Sequence, residues 1–133
     1  MPSHTKSKQG NLMFLRLAIT VQTVAVFMQA ITAGLLLSSP SGEALHRAGA
    51  YGTWFVVLLH VIAAILAWRP GGGSPKPILY AVGFLVAVSA QVALGIAQVK
   101  AVHVPLGALM FGMSVLQLVQ IRTERRAYGA AAA

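Results

Sequence analysis

The sequence predicts an all-α protein: an integral membrane, antiparallel four-helix bundle with both termini cytoplasmic. Three observations predict it. The chain of 133 residues is 57% hydrophobic and only 9% charged, with a mean hydropathy of +0.76, more apolar surface than one small water-soluble core can bury. Its apolar residues fall into four continuous stretches, each close to the roughly 20 residues a helix needs to cross the hydrocarbon of a bilayer. The basic residues gather on one side of those stretches. Strands fit poorly, because the runs are continuous rather than alternating and a closed barrel needs about eight strands.

The first stretch, 12–38, follows a polar segment with Lys6 and Lys8. A cleaved signal peptide has the same charge order, but the apolar run continues beyond the usual 7–15 residues. It is read as a helix. The second stretch, 46–68, follows SSPSGEAL, whose proline and glycine end the first helix. The third, 78–98, follows RPGGGSPKP, a flexible hairpin; its three glycines lack the strand and helix context of a phosphate-binding loop. The fourth, 103–121, follows the short segment QVKAV. Domain organisation is then a cytoplasmic tail over 1–11, the bundle over 12–121 and a second cytoplasmic tail over 122–133, with the last residues low in complexity and expected to fray.

An up-down path sorts the cations. Lys6, Lys8, Arg16, Arg69, Lys76, Arg122, Arg125 and Arg126 fall on the side of the termini, against Arg47 and Lys100 on the other. Short cytoplasmic segments carry such an excess, so the formal charge of +8 reflects topology and attraction to anionic lipid rather than a nucleic-acid partner. A multi-pass cell-membrane protein is expected.

The chain has no cysteine, which excludes disulfides, thiolate metal sites, a dithiol redox pair and covalent attachment of a c-type haem. Four histidines remain. His4 belongs to the polar tail and reads as solvated. His46 and His103 open the second and fourth stretches, and in an up-down bundle both starts lie at the same outer end. Small residues accompany them: Gly49, Ala50 and Thr53 on the face of His46, Gly107 with Met110 on that of His103. Paired axial ligation of a haem iron is one use of such an arrangement; close helix packing is the other. His60, fourteen residues after His46, stands roughly 21 Å deeper on nearly the same face. Its expected role is a hydrogen bond to Gln91, Gln22 or Gln29, with haem ligation or proton relay as alternatives. Gln117 stands where the fourth helix would need a second histidine. Trp54, Trp68, Tyr51 and Tyr80 are expected as interfacial anchors, the methionines as packing, and the remaining glutamines as interhelix hydrogen-bonding groups, with a quinone pocket a weaker use.

EALHR at 43–47, QVALG at 91–95 and HVPLGALMF at 103–111 together resemble one four-helix half of heme A synthase, a family of membrane proteins usually built from two such halves. The resemblance covers nearly all of 12–121. It implies that His46 and His103 are ligands of a haem, haem b or the haem O and haem A of the family's reaction. It further implies that Glu43 is the carboxylate beside the oxidised substituent, and that Arg47 can pair with a propionate; Lys100 shares that outer edge. The outer segment SSPSGE lacks the cysteine pair of many members, and the second half is missing, so a half-size oxidoreductase is expected to work as a homo-oligomer or within a larger membrane complex. Two histidines filling both axial positions favour electron transfer or holding of the haem, since dioxygen activation needs an open position. The competing expectation is a haem-free structural or accessory subunit of a larger membrane complex.

Overall fold

A computed structural model describes the backbone of residues 2–69 and 74–131 and the side chains of 9–69 and 74–123. It contains four helices: α1 (Pro2–Ser38), α2 (Gly42–Trp68), α3 (Lys76–Ile96) and α4 (Lys100–Ala131). Within them, Gln9–Ser38, Gly42–Trp68, Lys76–Ile96 and Lys100–Thr123 are long and apolar enough to cross a membrane.

The helices outrun the apolar stretches. α1 already includes residues 2–11 of the segment expected as a tail over 1–11, and α4 runs on to Ala131 within 122–133. Hydropathy marks where lipid contact would end, whereas a helix continues until something breaks it, and neither flank carries an internal proline. The side chains of His4, Lys6, Lys8, Arg125 and Arg126 lie outside the described residues, as does the Gly71–Gly73 hairpin.

Two tight turns close the end of the bundle opposite the termini. Between α1 and α2 the chain reverses over Ser39, Pro40 and Ser41, with Gly42 N–H donating to the Ser39 carbonyl at 3.1 Å. Between α3 and α4 it reverses through Gln98, which takes a left-handed φ of 57°. Val99 N–H donates to Leu94 O at 3.0 Å and Gln98 N–H to Gly95 O at 3.2 Å, the paired bonds of a Schellman cap with glutamine where glycine is usual. The Gln98 side-chain amide donates to the Gly95 carbonyl at 2.9 Å, a local compensation for the strained φ. Pro105 lies inside α4 and donates nothing to the Ala101 carbonyl one turn earlier.

Each helix packs on two neighbours, α1 on α2 and α4, α3 on α2 and α4. The bundle is therefore a square in which α2 and α4 stand on a diagonal. Cross-helix contacts run antiparallel: Asn11 to Leu66 and His60 to Gln22 between α1 and α2, Thr23 to Ser114 and Phe27 to Phe111 between α1 and α4.

The interior is layered along the bundle axis. Nearest the termini, Leu15, Ala18, Ile19, Ala63, Ala64 and Ala81 form one apolar cluster, where alanines let backbones approach closely. Further along, Val26, Val57, Phe84, Val88 and Met110 form a second. Between them lies a polar layer of Gln22, Thr23, His60 and Ser114, all buried. Thr23 Oγ1 bridges Ile19 O at 2.9 Å and Ser114 O at 3.2 Å, which ties α1 to α4. Beyond the second cluster, next to the tight turns, lie His46 and His103.

Candidate functional site

His46 is placed by the first turn of α2 and His103 by the first turn of α4. Because the tight turns put both helix starts at one end, the diagonal helices deliver their imidazoles to the same level. The ring centroids are 6.1 Å apart and the planes cross at 75°. Both side chains are half-buried.

Each ring is anchored through Nδ1. His103 Nδ1–H donates to the backbone carbonyl of Gln91 at 3.0 Å, an acceptor with no proton of its own. His46 Nδ1 lies 3.0 Å from Thr32 Oγ1, whose hydroxyl is also 3.1 Å from the Gln29 carbonyl. With the hydroxyl proton on Gln29 O, Thr32 accepts from His46 Nδ1–H. Both rings then keep their Nε2 lone pairs, and neither Nε2 has a hydrogen-bond partner among the described residues. Anchoring of the distal ring nitrogen on a carbonyl or hydroxyl is how proteins orient metal-binding histidines.

The surroundings repeat across the diagonal. On α2, Gly49 leaves a notch that receives the amide nitrogen of Gln29; on α4, Gly107 leaves one that receives that of Gln91, 2.7 Å from where a Cβ would stand. A glutamine from the preceding helix thus fills the space beside each of these glycines. Gln91 Oε1 is buried without a hydrogen-bond partner. Gly95 packs on the His103 ring, a Cβ there meeting Cε1 at 3.3 Å. Met110, read as a packing residue, is buried in the second apolar cluster.

The charged residues sit at the rim. Glu43, in the first turn of α2, is exposed and lines a surface depression with Leu36, Leu37, Ser38, Ser39 and Pro40. Arg47 and Lys100 are exposed too, and Glu43 makes no ion pair with Arg47 among the described residues. The structure thus brings His46 and His103 together and leaves the other three at the edge. His60 stays apart: it is wholly buried in the polar layer, Nδ1 2.7 Å from Gln22 Oε1, one of the three glutamine partners considered for it. Trp54 remains partly exposed while its indole N–H donates to Ser89 Oγ at 3.1 Å.

Thr32 and the Gln91 carbonyl are the site groups that sequence reasoning missed. A threonine near the end of an apolar helix carries no signal of its own, and a backbone carbonyl has none at all. Among the described residues no three His, Asp or Glu side chains gather to hold a bare metal ion. The arrangement supplies two imidazole nitrogen donors, enough for a metal that brings its remaining ligands with it. No family model, curated protein or solved structure matches the chain.

Proposed function

We propose that this protein is a multi-pass membrane protein that binds haem b between His46 and His103 near the outer face, with both termini cytoplasmic, and that it serves electron transfer or haem modification and assembly. The observation that carries the reading is the facing pair of Nδ1-anchored imidazoles. Two metal–nitrogen bonds of about 2 Å, with the radii of two five-membered rings, set centroids of rings sharing one metal about 6 Å apart. The 6.1 Å between the His46 and His103 centroids agrees with that value. A macrocycle supplies the equatorial donors that the protein lacks, so two histidines suffice. The bound haem would contribute one-electron chemistry, while the chain's residues orient it and exclude lipid. Arg47 and Lys100, both exposed, would be the cations to pair with its propionates.

The reduced-minus-oxidised absorption spectrum of the detergent-purified protein tests this reading. A sharp low-spin b-type signal is expected in the wild type and is expected to vanish in both His46→Ala and His103→Ala. A wild type that stays colourless after haem is added sinks the proposal.

The resemblance to half of heme A synthase supports a narrower proposal, a half-size oxidoreductase acting as an oligomer with Glu43 as its carboxylate. Glu43→Gln is then expected to abolish conversion of haem O to haem A while leaving the bound-haem spectrum unchanged. No conversion by the wild type would remove the enzymatic reading and leave the binding one.

One observation favours a second reading. The amides of Gln29 and Gln91 already fill the glycine notches beside the histidines, so the helices pack closely with protein groups alone. This supports a haem-free structural or accessory subunit of a larger membrane complex, the outcome a colourless protein would indicate.

A further inference from the structure

The hairpin of α1 with α2 and the hairpin of α3 with α4 build the same device around their histidines. In the first, the Gln29 backbone carbonyl accepts from the His46 ring and from the Thr32 hydroxyl at 3.1 Å, while the Gln29 amide enters the notch over Gly49. In the second, the Gln91 carbonyl accepts from His103 Nδ1–H at 3.0 Å, while the Gln91 amide enters the notch over Gly107. Gly49 stands three residues after His46 and Gly107 four after His103, so each glycine is the histidine's neighbour on the same face, one turn further into the bundle. The antiparallel path explains how one residue reaches both. Helix carbonyls point toward the C-terminus, here toward the tight turns and the histidines. Side chains lean toward the N-terminus, here one turn back toward the glycine.

The two amides add shape rather than polarity. Neither has a hydrogen-bond partner among the described residues, and Gln91 Oε1 is buried in that state. A side chain seated over a glycine fixes how closely two helices approach and how one is rotated against the other. That rotation in turn sets where the glutamine's own carbonyl stands. Resting on the haem reading above, we propose that Gln29 and Gln91 are the positioning residues of the site: each is a wedge that fills a glycine notch on the next helix and so holds its own carbonyl against the histidine that ligates the iron. A carbonyl only accepts, so a ring held this way keeps its proton on the held nitrogen and leaves the other nitrogen for the metal. Each hairpin thus makes one half of the site, and the haem is gripped by two equivalent halves. Substituting either glutamine leaves its backbone carbonyl chemically intact, and a change in the ring then reports a change in position.

The experiment uses the full chain in detergent with nitrogen-15 in its histidine rings, first without haem and then loaded with haem b. In the haem-free wild type, His46 and His103 are each expected to show a single tautomer protonated on Nδ1. Gln91→Ala empties the second notch and is expected to turn the His103 signal into a tautomer mixture while leaving His46 unchanged; Gln29→Ala is expected to do the reverse. Gln91→Met and Gln29→Met refill the notches with an unbranched chain of similar length and should restore the wild-type signals. Gly107→Ala, whose Cβ would stand 2.7 Å from the Gln91 amide nitrogen, should disturb His103 alone. Gly112→Ala, with nothing within 4 Å of its Cβ, should disturb neither ring. With haem bound, each glutamine-to-alanine change is expected to speed haem loss about tenfold, and each methionine variant to stay within about twofold of the wild type. Unchanged signals in both alanine variants overturn the proposal, since the wedges would then position nothing. Disturbance of both rings by either variant also overturns it, since the glutamines would then only hold the fold together. Failure of methionine to restore the signals overturns the role of shape and the proposal with it. A wild type that takes up no haem, while each alanine variant disturbs its own ring, overturns the haem reading and leaves the wedges as what orients the two imidazoles.

Discussion

Gly42→Ala is expected to destabilise the protein by about 1–3 kcal/mol, the range of an overpacked interior. A Cβ at Gly42 would coincide with the backbone of Leu35 and Leu36, because the start of α2 folds directly back on the last turns of α1. Backbone cannot swing aside as a side chain can, so the two helices would have to part. The Thr32–His46 hydrogen bond spans this same hairpin, and His46 is expected to lose its anchor along with the stability. Gly52 is the control: it lies in the same helix with nothing within 4 Å of an added Cβ. Gly52→Ala should be neutral or stabilising by up to about 1 kcal/mol from helix propensity. Reversible unfolding in mixed micelles measures both. A Gly42→Ala protein as stable as the wild type would mean that the hairpin is looser than described.

The second large effect concerns the polar layer. His60→Leu should cost about 1–3 kcal/mol, because the Gln22 amide would remain buried with no partner for its oxygen. Gln22→Leu should cost a similar amount by stranding His60. His60 Nε2 and Gln22 Nε2 are already buried and unpartnered, so the 2.7 Å bond between the residues is what offsets their burial. Combining His60→Leu with Gln22→Leu removes the stranded groups of both residues together and should cost less than the two single changes added. The double-mutant cycle should therefore show strong coupling. Single costs that simply add would show that the two side chains do not depend on one another, and that His60 is held by something else.

These two sites also separate what was readable beforehand from what was not. His46 and His103 were legible as a pair, because four apolar runs with short connections leave only one up-down path, and that path puts both histidines at one end. Lys100 and Arg47 were placed at the same end for the same reason. The partner of His60 was legible only as one of several glutamines, since three candidates stand on neighbouring helices and only the rotation of α1 about its axis selects Gln22. The backbone contact at Gly42 left no trace in composition, because a glycine after proline and serine reads as an ordinary turn.

By itself the sequence determined that the chain is helical, that four of its segments are long and apolar enough to cross a membrane, and that two histidines begin alternate helices. Those properties follow from local hydropathy, connection length and residue type, none of which needs a neighbouring helix to be known. Only the tertiary structure decided that α2 and α4 stand on a diagonal with their imidazoles 6.1 Å apart. The same packing set Thr32 against one ring and the Gln91 carbonyl against the other, and it filled the glycine notches with glutamine amides. These contacts depend on how each helix is rotated about its axis and how far it slides along its neighbours. That is settled by the packing of small residues and the pairing of buried polar groups across all four helices at once.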